Sequence, residues 1–264
     1  MAVYLDHAAT TPMVREAREA LLAGLDLTGN PSSIHGHGQA AKRLLEGARE
    51  RVAAALGADP IEVVLTSGGT EAINLGVKGL YWARRQQDAA RVRVLAPRGE
   101  HHATVDAVEW LAAHEGAVVD WLPVDEAGVV DLEVAEQRMR EHANEVALIT
   151  VILANNEVGS VQPVRSLAAL AAEHGIPVHV DAVAAFGHIP VSLRDLDVAA
   201  LSVSAHKIGG PVAMGALALA RAHTVEALIH GGGQQRGVRS GTQDVPAALA
   251  FAAATDAAIS RMDT

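Results

Sequence analysis

The chain has 264 residues, half of them apolar, and its 21 basic and 31 acidic residues give a net charge of −10. This length and composition allow a large buried core and exclude a disordered chain. The acidic balance and the lack of a basic stripe argue against nucleic-acid binding, which depends on neutralising phosphates. Because cysteine is absent, disulfides, thiolate metal ligands and a cysteine nucleophile are excluded within these residues.

The sequence shows no targeting or membrane signal. The first twelve residues carry an aspartate at position 6 and lack the basic-then-apolar pattern of a signal peptide. No apolar run approaches the length needed to span a bilayer. We therefore expect a cytoplasmic protein that does not associate with membranes.

Helical and strand-like patterns alternate along the chain. Thr11 is predicted to cap a helix that begins at Pro12 and runs over 12–24. Further helices are predicted over 39–56, about 71–84, 104–114, 132–141, 164–174 and from about 245 onwards. Short apolar runs predict buried strands over 62–66, 92–96, 117–122, 146–154, 178–181, 198–203 and 215–220. Strands separated by helices in this way predict an α/β fold with a mostly parallel sheet.

In such a sheet, ligands bind beyond the carboxyl ends of the strands. The Gly-Gly turn after the first strand, with Gly69 and Thr70, feeds a helix whose backbone N–H groups can hold an anion. The same turn also suits an ordinary strand-to-helix connection. It matches neither the Walker nor the GxGxxG pattern, so a nucleotide-binding module has little support.

Two charged residues also follow buried strands. Asp181 ends one strand, and burial there is costly unless the carboxylate is paired or hydrogen-bonded. Lys207 follows another strand, preceded by Ser204 and His206. Although most lysines are solvated surface groups, burial can lower the pKa of such an amine and make it a nucleophile.

A third strand end carries His101. The thirteen histidines show no metal-binding spacing, so no metal is predicted. A flat imidazole that stacks on a ring is the alternative to a simple helix-entry histidine. Together these groups suit pyridoxal phosphate (PLP), which needs a lysine, a carboxylate at its pyridine nitrogen, an anion cradle and a flat group over its ring.

Nine short motifs complete the pattern. They occupy residues 4–12, 29–33, 66–71, 100–103, 155–159, 179–182, 204–207, 230–234 and 239–242. In their order and spacing the chain resembles the cysteine desulfurases of the NifS/IscS group, within the class V aminotransferase family. The resemblance implies a three-layer αβα fold of the PLP-dependent transferase type (fold type I). It also implies conversion of L-cysteine to L-alanine, with the sulfur passed to an acceptor cysteine as a persulfide for iron–sulfur cluster assembly or thiolation. A homodimer that delivers sulfur to an acceptor or iron–sulfur scaffold protein is expected.

The resemblance also assigns roles to residues. Lys207 would attach PLP and move protons, Asp181 would pair with the pyridine nitrogen, and His101 would stack on the ring and act in acid–base steps. Asn156 would bind the phenolic oxygen. Phosphate binding is implied for Gly69, Thr70, Ser204 and His206, with Thr242 reaching the phosphate of a partner subunit. The loop that carries Asn30 and His35 would face the substrate.

The chain departs from the family pattern in two site positions and in length. Ala184 stands where the family has a glutamine that bonds the phenolic oxygen, a loss of about 1 kcal/mol. Gln235 replaces a common glutamate. Family members continue beyond this length with the acceptor cysteine and a substrate-binding arginine. We therefore interpret residues 1–15 as an arm of the small domain, 16–264 as the PLP-binding large domain, and the C-terminal small domain as missing.

Three interpretations remain open. The first is the PLP-binding part of a cysteine desulfurase, and this chain by itself is then predicted to be inactive in sulfur transfer. Another class V enzyme, a selenocysteine lyase or an aminotransferase, fits many of the same motifs. A non-catalytic truncated protein or pseudoenzyme is the third interpretation, because of Ala184 and the length.

Overall fold

The computed structural model describes residues 3–262. Residues 1, 2, 263 and 264, which the predicted arm and large domain include, lie outside them. The helices are α1 (Arg15–Leu25), α2 (Gly36–Ala55), α3 (Gly69–Gln87), α4 (His102–Glu115), α5 (Leu132–Glu141), α6 (Val164–Ala172), α7 (Leu193–Leu196) and α8 (Val245–Met262). The strands are β1 (Val63–Thr66), β2 (Arg93–Pro97), β3 (Val118–Leu122), β4 (Val146–Ile152), β5 (Val178–Asp181), β6 (Ala200–Ser204) and β7 (Gly215–Leu219).

These strands form one seven-stranded sheet in the order β1-β7-β6-β5-β4-β2-β3. The neighbours from β6 to β3 pair in parallel, whereas β7 runs antiparallel to both β6 and β1. The prediction of a mostly parallel α/β sheet is therefore confirmed. Strand β4 is buried along its whole length, because helices cover both faces of the sheet.

The two faces carry separate cores, which gives the three layers. One core joins the sheet to α1, α2, α5, α6 and α8, and the other joins it to α3 and α4. Alanine, valine and leucine dominate both cores. Small residues let helices approach closely: a side chain at Gly24 of α1 would lie 2.7 Å from Pro246 Cα of α8.

The start of α1 differs from the prediction. The helix begins at Arg15 with Val14 before it, and Thr11 does not cap it. Instead, the Thr11 N–H donates to the His206 carbonyl at 3.0 Å, and its hydroxyl donates to the Lys207 carbonyl at 3.0 Å. Thr11 thus fastens the N-terminal segment to the loop after β6, so tertiary contacts outweigh the local preference.

Other element boundaries shift by a few residues, as is usual for helix ends. Helix α2 begins at Gly36 rather than at Gln39, because His35 caps it by accepting from Gly38 N–H at 3.3 Å. Strand β4 ends at Ile152, and the segment predicted over 198–203 forms β6. The short α7 was not predicted, since four residues carry no helical periodicity.

Candidate active site

One cleft of about 240 Å³ lies at the carboxyl ends of β5 and β6 and at the first turns of α3 and α4. The fold brings together here eight of the residues that the sequence singled out. They are Gly69, Thr70, His101, Asn156, Asp181, Ser204, His206 and Lys207. Ala184 and Ala9 also line the cleft. The chemistry must therefore be sought among these groups.

Lys207 sits in a single 3-10 turn that directly follows β6. Its Nζ donates to the carbonyl of Ala8 and, at 3.1 Å, to that of Ala9, so the N-terminal segment lies across the amine. Burial lowers the pKa of the Lys207 ammonium, and the carboxylates of Asp181 and Asp6 partly offset this. A lowered pKa increases the fraction of the neutral amine, which is the nucleophilic form.

Asp181 is the last residue of β5 and is only 2% exposed. Its Oδ1 accepts a hydrogen bond from Val183 N–H at 2.9 Å. Burial raises the pKa of Asp181 to about 6, against the opposing effects of Val183 N–H and the Lys207 ammonium. Asp181 is therefore mainly ionised at neutral pH and can hold a proton on a facing nitrogen.

His101 is the N-cap of α4. Its Nδ1 accepts from Ala103 N–H at 3.1 Å, which fixes the ring and leaves the proton on Nε2. Burial lowers the pKa of His101, and the positive charges of Lys207 and His102 lower it further. The cleft thus contains a neutral, immobilised imidazole.

An anion cradle lies at the start of α3. Gly69 and Thr70 open the helix, and their N–H groups point out of its first turn. Ser204 contributes a buried hydroxyl that has no hydrogen-bond partner within residues 3–262. A side chain at Gly69 would lie 2.7 Å from Val183 Cγ2 and 3.3 Å from Ser204 Cβ, so only glycine leaves this space open.

His206 lies beside the cradle, with Nδ1 3.1 Å from the Thr10 hydroxyl. Asn156 is held in place by its neighbour: Asn155 Oδ1 accepts from Glu157 and Val158 N–H, and its Nδ2 donates to Gly99 O. These contacts fix the turn after β4 and leave the Asn156 amide at the cleft.

These groups fit PLP. The unpartnered Ser204 hydroxyl and the open space at Gly69 suit its phosphate, Asp181 suits its pyridine nitrogen, and Lys207 suits its aldehyde carbon. Such a lysine, carboxylate and anion cradle around one cleft are what the cofactor requires. The aminotransferase class V family matches residues 3–263.

The chain belongs to the aminotransferase class V family.

Within this PLP-dependent family, the similar relatives include proteins named cysteine desulfurases. An IscS-like cysteine desulfurase of Mycobacterium tuberculosis is 46% identical over 260 residues, which is 98% of this chain and 66% of the relative. The cysteine desulfurase IscS of Methanosarcina thermophila is 37% identical over 263 residues, 99% of this chain and 63% of that protein. The chain thus spans about two thirds of the length of these curated relatives.

Solved structures agree with this assignment. A NifS-like protein superposes with a TM-score of 0.92 at 37% identity, covering 100% of this chain and 71% of that one. SspA in complex with cysteine superposes with a TM-score of 0.89 at 34% identity, covering 97% of this chain and 72% of that one. The expected PLP-transferase fold is therefore confirmed.

Three predicted site residues lie elsewhere. Asn30 is exposed, and its Oδ1 accepts from Ser32 N–H at 2.9 Å, while His35 caps α2. Thr242 is exposed and borders a separate small cleft beside Ser67. Their substrate-facing and partner-phosphate roles stay predictions.

An ion pair beside the cradle was not predicted from the sequence. Arg239 Nε donates to Glu71 Oε1 at 2.9 Å, and its second nitrogen donates to Oε2 at 3.3 Å. Burial raises the pKa of Glu71, but hydrogen bonds from Arg239 and Ser67 outweigh it and lower the pKa overall. The pair ties the glycine-rich loop that carries Thr242 to the first turn of α3.

A buried histidine behind the cleft was also missed. His179 lies in β5 two residues before Asp181, on the same face of the strand. Its Nδ1 is 2.9 Å from the Thr150 hydroxyl, and its Nε2 is 2.8 Å from the Ser202 hydroxyl. Helix α3 covers it with Gly76, where a side chain would approach the His179 ring to 2.4 Å. Burial lowers the pKa of His179 to about 3.

Among residues 3–262 no three histidine, aspartate or glutamate side chains lie together as a metal ion would require. Within the same residues no helix is both long and apolar enough to cross a bilayer.

Proposed function

We propose that this chain is the cofactor-binding part of a PLP-dependent cysteine desulfurase. The observation that carries the proposal is the meeting of Lys207, Asp181, His101 and an open anion cradle in one cleft. The desulfurase names of the relatives and the cysteine bound to the SspA neighbour support L-cysteine as the substrate.

The residues of the cleft suit the individual steps. PLP, when bound, supplies an electron sink next to the substrate Cα. The Lys207 amine would hold the cofactor and, when free, would accept or return a proton at Nζ. Asp181 would keep a proton on the pyridine nitrogen, because its carboxylate lines the cleft and is mainly ionised at neutral pH. The His101 Nε2–H lies in the cleft and would donate a proton to the substrate carbon that loses the sulfur.

The sulfur step needs an acceptor from outside these residues. An acceptor thiolate would attack the substrate sulfur and form an S–S bond as the C–S bond breaks. The electron pair of that C–S bond and one proton would remain on the substrate carbon, which gives L-alanine and a persulfide on the acceptor. The 264 residues contain no cysteine, so that thiolate must come from other residues or from another protein. We therefore expect this chain alone to produce no alanine in steady turnover.

The remaining parts of the proposal concern assembly. We propose that residues 1–15 act as an arm of a small domain and 16–264 as the PLP-binding large domain. A cytoplasmic homodimer, in which Thr242 reaches the partner subunit's cofactor, is proposed from the resemblance and from the exposure of Thr242. Delivery to an iron–sulfur scaffold or thiolation protein is supported by the IscS names of the relatives.

The first experiment is PLP binding by the purified chain. Visible absorbance during titration with PLP, borohydride reduction and peptide mass mapping should place the cofactor on Lys207. The Lys207→Ala variant is the control and should show no reducible adduct. Adding L-cysteine should change the absorbance spectrum of the PLP-loaded wild type. L-Selenocysteine tests the selenocysteine lyase alternative, and L-alanine with an oxo acid tests the aminotransferase alternative.

A soluble, folded chain that forms no adduct at Lys207 would overturn the proposal. The non-catalytic alternative would then account for the chain better, because the cleft would have lost its cofactor.

A further inference from the structure

The outer edge of β1 is closed by side chains. This strand lies at the end of the sheet and pairs with β7, so some of its backbone groups face away from the sheet. Arg49 Nη1 of α2 donates to the Val63 carbonyl at 2.7 Å. Gln235 Oε1 accepts from Leu65 N–H at 2.7 Å, and Gln235 Nε2 donates to the Leu65 carbonyl at 2.8 Å. The side-chain amide of Gln235 thus pairs with Leu65 as the backbone of a neighbouring strand would.

The neighbours of Gln235 fix the orientation of its amide. Its Oε1 also accepts from Arg49 Nη1 at 2.9 Å, so this oxygen lies between two donors, while the nitrogen faces the Leu65 carbonyl. A glutamate, which the resemblance gives as common at this position, would accept the same two hydrogen bonds. An ionised carboxylate could not donate to the Leu65 carbonyl. The glutamine of this chain therefore makes one hydrogen bond that the common family residue does not make.

The backbone at Gln235 is held in an unfavourable conformation. Gln235 and Arg236 are consecutive non-glycine residues in the left-handed region, with φ angles of 50° and 63°. Such conformations cost free energy and persist where the surrounding structure fixes them. The hydrogen bonds from Gln235 to β1 fix the glycine-rich loop (residues 230–242) at this point.

A second attachment holds the same loop beside the cradle. Ser67 N–H donates to Glu71 Oε2 at 2.8 Å, and Glu71 is paired with Arg239 of the loop. The glycine-rich loop is thus fastened both to β1 and to the first turn of α3. The turn that connects β1 to α3, with the cradle residues Gly69 and Thr70, lies between these two attachments.

We propose that Gln235 is a positioning residue for the phosphate of the cofactor: its amide fixes the glycine-rich loop on β1 and thereby holds the cradle turn in place. The effect on the phosphate rests on the proposed PLP site, whereas the pairing with Leu65 does not. Without the amide, the Leu65 N–H and carbonyl lose their partner, and one of the two attachments of the loop is gone. Phosphate binding would then have to order a turn that the wild type already holds in place, which lowers the affinity.

Hydrogen exchange of the Leu65 amide, followed by NMR in the cofactor-free chain, tests the pairing. In the wild type this N–H should be protected although it points away from β7. Gln235→Ala should speed its exchange by about tenfold or more, because water replaces the Oε1 acceptor, while the β1 amides that face β7 keep their rates. Gln235→Glu keeps the acceptor and should retain most of the protection. Equal exchange of Leu65 in the wild type and Gln235→Ala would overturn the pairing.

A comparison of PLP with pyridoxal tests the positioning role, because pyridoxal has the same ring and aldehyde but no phosphate. Gln235→Ala should weaken PLP binding by about tenfold, as the loss of one to two hydrogen bonds implies, and pyridoxal binding by less than about twofold. Gln235→Glu loses the one bond to the Leu65 carbonyl and should weaken PLP binding by about threefold. Gln243→Ala is the matched control, because Gln243 borders the same small cleft beside Ser67 and should bind PLP like the wild type.

Two results would refute the positioning role. One is equal weakening of PLP and pyridoxal binding, which a general loss of structure would cause, and the other is a folded Gln235→Ala that binds PLP like the wild type. Urea unfolding shows whether each variant is folded, and if Gln235→Ala is not, the same comparison with Gln235→Glu decides. If the wild type binds no PLP, the proposed function fails, while the exchange of the Leu65 amide still decides the pairing.

Discussion

Acid should destabilise this fold through His179. The stability of the wild type and of the His179→Gln variant is compared as the pH falls. This substitution removes the titrating ring and keeps a side chain that can hydrogen-bond to Thr150 and Ser202. His179 is fully buried in β5 between those two hydroxyls, and no charged group within residues 3–262 offsets the effect of burial on its pKa. Protonation must therefore be much harder in the folded protein than in the unfolded chain.

The magnitude follows from the pKa. It drops from the ordinary 6.5 to about 3 in the folded protein. Between these values the unfolded chain binds one more proton than the folded one, so stability falls as pH falls. The slope is about 1.4 kcal/mol per pH unit, which gives a loss of about 2 kcal/mol between pH 7 and pH 5. A loss of that size is a substantial part of the total stability of a typical domain.

Urea unfolding followed by circular dichroism at several pH values measures this loss. Asp181 makes the fold more stable as the pH falls, because its pKa is raised to about 6. The wild-type stability curve alone therefore does not isolate the contribution of His179. The difference between wild type and His179→Gln isolates one group. His37→Gln, at an exposed position, is the control and should leave the slope unchanged. Equal losses for wild type and His179→Gln from pH 7 to pH 5 would refute the reasoning.

Three further variants test the cleft by PLP titration and urea unfolding. Ala184→Gln should tighten PLP binding about fivefold by restoring a hydrogen bond of about 1 kcal/mol, and unchanged affinity would contradict that role. Arg239→Ala should destabilise the chain by about 2 kcal/mol and weaken PLP binding, because it leaves the Glu71 carboxylate unpaired, while Arg239→Lys should lose less. Gly69→Val should weaken PLP binding at least tenfold because its side chain fills the cradle, whereas Gly47→Ala, where the added atom meets nothing within 4 Å, should bind normally.

The site could be predicted largely because it follows strand ends. Asp181, Ser204 and Lys207 all come at or just after buried strands, and parallel strands bring such positions to one edge. A single sequence therefore sufficed to group them. The resemblance added Asn156, which also lines the cleft, although its contact with the cofactor stays a prediction.

Contacts that join distant parts of the chain escaped prediction. Arg239 and Glu71 are 168 residues apart, and neither lies in a pattern that points to the other. The partners of His179 stand on neighbouring strands, and their pairing depends on register rather than on local sequence. At Thr11 the local pattern predicted a helix cap that does not form. The Thr11 hydroxyl instead donates a hydrogen bond to the carbonyl of Lys207, in the loop after β6.

The sheet order has a consequence for how the protein is made. Strand β1 pairs with β7, and α1 and α2 pack on α8. The first elements to be synthesised therefore gain their partners only after the last described elements have been made. At the usual speed of a ribosome, about 5 to 20 residues per second, the apolar face of α1 stays uncovered for about 10 to 50 s. Until α8 has emerged, the nascent chain exposes apolar residues of α1 that the finished fold covers. Apolar surface that is exposed in this way is prone to aggregate, so we expect the chain to be vulnerable to aggregation during synthesis.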